Sequence, residues 1–500
     1  MRVTAGALAA AVVLAACTST PRARVEPAPS TTSPVFTGGK PVRFALESRP
    51  LGFDADGNAQ WLVIAHFFDA RGRVTRILAN SDLDWISRDG YVQWQNRMRF
   101  GQPSAIVKTH RDGKMTLLVR CNKPALGSHA ISTDTRSWKF PRVAAAVLGA
   151  YAVQIGWFPQ ESQAVRVTRT GCGRTPGTRS WTRASGTSSV LDTAVGPGET
   201  CRYAVARAGE FGSVTVTLPP APPSVPLTNF SGTGMWLYFT TNPLDPIYYA
   251  NLNAQQIVDR AVRAHLQYVE LRTAYGAFWQ ITPQARPAID AIIDGLAAHG
   301  IVTIGWTVPR DDAIDDVEAS VRTAYYRTAR GTPLGGLAID LERGDEFMGG
   351  APDGLDALWK YVAAVRLALG TRYPIAATIE DPYLEHLSES SYPYAQIARV
   401  SSILQPMTYA RMLRRRPLNA SQTAGIVRAS WAAVSALARA NVPISMGAQT
   451  NAIGPGGAPE PAEVLAAMAA ARDSGAIGTC FFAWDGTSPA QWDAISDRGT

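Results

Sequence analysis

LAIDLERG, residues 337–344, is an apolar run that ends on two carboxylates one residue apart, Asp340 and Glu342. On a strand, residues i and i+2 point to the same side, so the two acids would share one face. The stretch is therefore either the charged end of an ordinary strand or a reactive pair at the rim of a larger sheet. The segments around it decide between the two.

From about residue 228 onward, short apolar runs alternate with helical periodicity. The candidate strands are GMWLYF (234–239), QYVELRT (267–273), IVTIGWT (301–307), GGLAIDL (335–341), YPIAATIE (373–380), SSILQPMTY (401–409), VPISMGA (442–448) and AIGTCFFAW (476–484). Amphipathic helices lie between them. Thr282 before Pro283 reads as a helix start, and Gly300 as that helix's stop. Asn419 with Gln422 has the spacing of a capping box, and Asn441 is expected to close that helix. Eight strands alternating with helices over residues 228–500 predict an α/β (β/α)8 TIM barrel. A doubly wound open sheet is the alternative, and it would be long for a single sheet of that kind.

Active sites in such barrels lie at the C-terminal ends of the strands. Read that way, the strands deliver in turn Tyr238; Glu270 and Arg272; Trp306 and Asp311; Asp340 and Glu342; Glu380 and Asp381; Gln405, Met407 and Tyr409; Gln449 and Asn451; Trp484 and Asp485. Carboxylates, amides and aromatics on one face suit a sugar, whose apolar faces stack on rings and whose hydroxyls need hydrogen-bond partners. Two close carboxylates such as Asp340 and Glu342 raise one another's pKa, as a general acid near neutral pH requires. Arg411, Arg414, Arg415 and Arg416 follow the sixth strand and are either a solvated run or a contact to an anionic glycan.

Gly336-Leu337-Ala338-Ile339-Asp340-Leu341-Glu342 resembles the fourth-strand signature of family 18 chitinase-like glycoside hydrolases. Met407-Thr408-Tyr409 resembles their sixth-strand motif, and Trp484 their eighth-strand platform beneath the reactive sugar. The resemblance implies Glu342 as general acid, Asp340 as orienting carboxylate and Tyr409 as its support. The expected substrate-binding set is Trp484, implied by the resemblance, with Asp485, Trp306, Glu270, Arg272, Glu380, Gln405 and Tyr238 from the strand ends. The chain departs from the family at Ala338, Leu341 and Ala410, two of them positions where an Asp is typical. A second acid would come from Glu380, Asp381 or Asp485. A separation of roughly 6.5–9.5 Å from Glu342 would permit inversion, and one of roughly 5 Å retention. The rival readings are a barrel that binds glycans without cleaving them and an envelope scaffold with no sugar site.

The first half reads as β structure. Residues 41–135 alternate apolar and polar positions in WLVIAHFF (61–68), YVQWQNRM (91–98) and MTLLVRC (115–121). In DADGNAQWLVIAHFFDARGR and RFGQPSAIV this segment resembles the bacterial immunoglobulin-like domains found beside secreted glycosidases. Residues 136–218 hold Trp157 on an early strand and Tyr203 on a later one, and resemble a fibronectin type III domain. There the Trp fills the core and the Tyr hydroxyl caps a turn. Residues 219–227 form a Pro-rich spacer.

The opening run, residues 1–17, reads as a secretory signal. Leu14-Ala15-Ala16-Cys17 resembles a lipobox, which implies a lipid on Cys17, a polar tether over residues 18–40 and a place in the bacterial cell envelope. The expected partners are a polysaccharide or cell-wall glycan and, through the anchor, a membrane. Of the remaining cysteines, Cys172 and Cys201 could pair, whereas Cys121 and Cys480 read as buried thiols. A net charge of +8 over 500 residues is weak evidence for nucleic acid, and none is expected as a partner. The six histidines lack metal-ligand spacing, so neither metal nor cofactor is expected. Nucleophile-elbow and phosphate-loop motifs are missing.

Overall fold

A computed structural model describes residues 40–75, 83–94, 103–122, 126–160, 164–173, 178–207, 210–240, 247–310, 314–343, 355–412 and 417–497. Cys17, the tether, Asp311 and the arginines at 414–416 lie outside the described residues. The chain forms two compact units, divided mainly after Leu218. Among the described residues no helix is long and apolar enough to cross a membrane.

The first unit is built of antiparallel sheets. Strands β1 (Arg43–Phe53), β2 (Ala59–Phe68), β3 (Leu83–Ser87), β4 (Tyr91–Trp94), β5 (Ser104–Thr109), β6 (Lys114–Cys121) and β7 (Ser128–Asp134) make two sheets, ordered β1-β2-β5-β4 and β3-β6-β7. One apolar core takes Trp61, Val63 and Phe67 from the first sheet and Trp85, Leu117 and Val119 from the second. Strands β8 (Val143–Gly149), β9 (Ala152–Trp157), β10 (Val165–Thr170), β11 (Arg179–Arg183), β12 (Ser189–Asp192), β13 (Thr200–Arg207) and β14 (Glu210–Thr217) follow, as sheets β11-β10-β13-β14 and β12-β9-β8. Trp157 is buried, as expected. The Tyr203 hydroxyl does not cap a turn. It donates to buried Asp192 at 2.9 Å, and Arg169 pairs with the same carboxylate at 2.7 Å. Cys172 and Cys201 form a disulfide, and Cys121 and Cys480 are buried thiols.

The second unit is a closed barrel. Its strands are β15 (Gly232–Leu237), β16 (Tyr268–Tyr275), β17 (Phe278–Trp279), β18 (Val302–Val308), β19 (Leu337–Leu341), β20 (Ile375–Ile379), β21 (Ile403–Thr408), β22 (Ser445–Gln449) and β23 (Gly478–Phe482). They form one nine-stranded sheet, and all but β17 run parallel. β15 pairs with both β16 and β23, which closes the remaining eight into a barrel. Helices α1 (Ala254–Arg263), α2 (Arg286–Ala298), α3 (Ile314–Ala324), α4 (Leu355–Leu369), α5 (Tyr394–Val400), α6 (Ala420–Ala438) and α7 (Pro461–Asp473) connect successive parallel strands, and α8 (Pro489–Ser496) follows the last. β19, β20 and β22 are buried at every residue, as strands covered by helices outside and side chains inside must be. Close packing fixes Gly234, where a Cβ would stand 2.2 Å from the Tyr268 ring.

Two helix boundaries differ from expectation. α2 begins at Arg286, one turn after Thr282. Thr282 instead closes the preceding turn, where its hydroxyl accepts from the Ala285 N–H at 3.2 Å. α6 starts on the expected Asn419–Gln422 capping box but ends earlier than Asn441, on Arg439 in the left-handed conformation.

Candidate active site

The ends of β19 and β21 bring the three expected catalytic side chains together. Asp340 is 4% exposed, and among the described residues no hydrogen bond of good geometry reaches its Oδ1. Its carboxyl is held well above the usual range, first by burial, then by the charges of Glu342 and Glu380. The Trp306 indole beside it opposes the rise. Glu342 follows the last residue of β19 and is half-buried. Tyr409 follows β21, and its ring stacks on Phe482 with centroids 5.6 Å apart. Its hydroxyl is pushed well above its ordinary value by burial and then by Asp340 and Glu342, which places all three in one electrostatic cluster.

Around this cluster the mouth divides into an acidic and an aromatic side. On the acidic side, Glu380 accepts from the Arg343 N–H at 2.9 Å, and the Arg343 side chain is ion-paired with Glu385. Burial and the adjoining Glu380 push Glu385 up to about 8. On the aromatic side, the Arg272 guanidinium lies over Tyr238, Tyr275 and Trp306 at 5.0, 5.4 and 5.6 Å. Gln280 Oε1 holds its Nε at 2.9 Å. The Tyr238 hydroxyl donates to exposed Asp485 at 3.1 Å, joining the ends of the first and last barrel strands.

Several expected site residues lie elsewhere. Glu270 and Gln405 are 0% exposed and sit beneath the mouth, so neither is a direct substrate contact. Gln405 donates to Glu270 at 2.8 Å and accepts from the Thr378 hydroxyl at 3.0 Å. Asp381 is fixed in a turn: one oxygen accepts from the Tyr383 and Leu384 N–H groups, the other from the Thr408 hydroxyl at 2.6 Å. Trp484 lies edge-on to Trp492 of α8 at 4.9 Å. The ring enclosed among the mouth aromatics is instead Phe482, stacked with Tyr238 at 6.0 Å and with Tyr409. Arg411 is 4% exposed and ion-paired with buried Glu463, and it donates to the carbonyls of Gly456 and Ala458. It is therefore a brace between loops and cannot contact a glycan.

Sequence reasoning missed Glu385 and Phe482. Glu385 stands one helical turn after Asp381, an offset with no chemical signature of its own. Phe482 stands two residues after Cys480 on the inward face of β23, a signal present in the sequence but outweighed by the larger Trp484 just past the strand end. Cys172, Glu199 and Cys201 bring metal-ligand types within 4.8 Å of one another, but both sulfurs are engaged in the disulfide. Glu199 accepts instead from the Gly173 N–H at 3.0 Å.

No protein-family model and no curated protein matches this sequence. Among solved structures, the chain is similar to the spore cortex-lytic enzyme SleL of Bacillus megaterium at 11% identity and a TM-score of 0.37, over 59% of this chain and 79% of that one. It is similar to a chitinase from Chromobacterium violaceum at 12% identity and a TM-score of 0.38, over 54% and 98%. A family 18 N-acetylglucosaminidase from Paenibacillus barengoltzii gives 11% identity and a TM-score of 0.36, over 54% and 99%. At these values the functional reading has to be carried by the chain's own residues.

Proposed function

We propose that this chain is a glycoside hydrolase acting on a polysaccharide, with a cell-wall glycan as the class of substrate. The observation that carries the reading is the cluster at the mouth of the barrel, where buried Asp340 stands two residues before Glu342 and within electrostatic reach of Tyr409. Glu342 is assigned as the proton donor to the glycosidic oxygen. Asp340 and Glu342 share one face, where the charge of either favours a proton on the other, so the pair retains a proton; Asp340 orients the reacting sugar, and Tyr409 supports it. Glu380, which adds to the charge felt by Asp340, is assigned as the second carboxylate. Tyr238, Arg272, Trp306, Trp484 and Asp485 are assigned to sugar binding. The antiparallel sheets are read as immunoglobulin-like and fibronectin III-like modules that, with a lipid on Cys17, hold the barrel outside an envelope membrane.

A second reading, glycan binding without cleavage, is favoured by Ala338 and Ala410. Ala338 belongs to the apolar barrel interior, and Ala410 packs with Leu384 and Ile426. The two readings separate when the full chain and its Glu342→Gln variant are incubated with chitin, peptidoglycan, glucans, galactans and uronate polymers. Hydrolysis predicts reducing-end release by the wild type and a loss of about 10²–10⁴-fold in the variant. Equal binding by both proteins with no release would establish the second reading.

A further inference from the structure

Glu270 is wholly enclosed in the barrel, and its bonded partner is an amide rather than a cation. Its Oε2 has no hydrogen-bond partner of good geometry, and neither has the neighbouring Trp236 indole N–H. Such a group is costly to keep, because a buried carboxylate without a cation loses solvation without a compensating charge. Its position connects it to the site. Asp340 stands opposite Thr378 in the β19–β20 register, and Thr378 opposite Gln405 in β20–β21. The Gln405 side chain then reaches Glu270, so Glu270 joins the layer of side chains that includes Asp340.

The titratable groups facing Glu270 are Tyr268 on its own strand, Cys480 on β23, Tyr409 after β21 and Asp340 on β19. All are acids: protonated Cys480 donates to Glu270 and eases its charge, whereas a charged Asp340 opposes it, and Arg272, two residues on along the same strand face, lies over the mouth rings. Burial pushes Glu270 up to about 7, against the pull of Gln405, Cys480 and Trp236. It is thus neutral in acid and becomes charged as the solution turns alkaline. Once charged, it repels Asp340 through a dry interior, where charge interactions are strong.

We infer that Glu270 is a positioning residue whose buried charge holds a proton on the Asp340–Glu342 pair and so sets the alkaline edge of activity. This rests on the reading of Glu342 as proton donor. Glu270 itself is sealed beneath the mouth.

The test uses the full chain with Glu270→Gln, which removes the charge but still offers an oxygen to Gln405, and Glu270→Asp, which keeps the charge. On a polymer the wild type cleaves, the alkaline limb of the kcat/KM profile should move toward acid by about one pH unit in Glu270→Gln. The acid limb and KM should stay in place, and Glu270→Asp should restore the wild-type limb. A uniform drop at every pH, as a purely structural residue gives, would overturn the inference.

A second arm needs no turnover: a double-mutant cycle of Glu270→Gln with Asp340→Asn, read by chemical unfolding at pH 5 and pH 8. Coupling at pH 8 that vanishes at pH 5 is the expected result, and additivity at both would overturn the charge linkage. If no polymer is cleaved, the hydrolase reading fails, and with it the alkaline-edge role. The cycle still decides the linkage by itself.

Discussion

Burying a carboxyl inside a barrel disfavours its charged form, and both Asp340 and Glu270 carry that penalty. Its sign determines a pH dependence of stability. The unfolded Glu270 titrates near 4.5 and the folded one near 7. Between those values the folded state binds more protons than the unfolded one, so stability falls as pH rises through the window and levels off above it. Glu270→Gln escapes this penalty. Relative to wild type it is expected to gain on the order of 3 kcal/mol between pH 4.5 and pH 8, measured by urea unfolding at both pH values. An unchanged difference would contradict the raised pKa. Tyr409 acts at the same scale. Removing its hydroxyl as Tyr409→Phe keeps the stack on Phe482 and is expected to lower kcat by about 10–100-fold with little change in the unfolding midpoint. Asp340, Glu342 and Tyr409 were legible in the sequence because strand alternation fixes which side they face. Alternation does not fix depth. Glu270 and Arg272 share one inward face two residues apart, yet one is sealed in the interior and the other stands over three mouth rings.

At the scale of elements, all eight parallel strands were readable from their apolar runs, each to within a few residues. The bounds were less so. β16 runs on to Tyr275 through a register shift near Thr273, because the short hairpin with β17 continues its pairing. No local apolar pattern announces such an extension. Helix starts followed cap chemistry where a polar cap stood alone, as at Asn419. They failed at Thr282, where a turn competed for the same side chain. The arginine after β21 was the clearest misreading. A run of arginines looks solvated, but Arg411 finds Glu463 at the first turn of α7, together with the Thr423 hydroxyl of α6 at 3.0 Å from the same carboxylate. That interaction ties the β21 loop to two helices. Arg411→Met leaves Glu463 buried and unpaired and is expected to destabilise the barrel by about 3–5 kcal/mol, read from the denaturant midpoint. A loss below about 1 kcal/mol would show that the pair is not a brace.

At the scale of the molecule, a covalent link and buried ion pairs, Arg169–Asp192 and Lys108–Asp54 among them, hold the antiparallel unit. The disulfide joins residues 29 apart, and replacing both cysteines with serine is expected to cost about 2–4 kcal/mol in unfolding experiments on that unit. The sequence left this pairing open because spacing does not specify connectivity, and it gave no sign that Tyr203 would serve a buried Arg169–Asp192 pair. The barrel, by contrast, follows from repetition alone, since eight strand–helix units leave few ways to close a parallel sheet. That closure is what gathers Asp340 and Glu342, Glu380 and Tyr409 from three strand ends into one mouth. The central claim is that Glu342 meets the scissile oxygen there. The most direct measurement is a crystal structure of the Glu342→Gln chain with an oligosaccharide of the polymer the wild type cleaves. The expected result is a glycosidic oxygen within about 3 Å of the residue 342 amide, with the sugar against Tyr409 and Trp306. A sugar bound outside the mouth, or with its bridging oxygen against Glu385 instead, would contradict it.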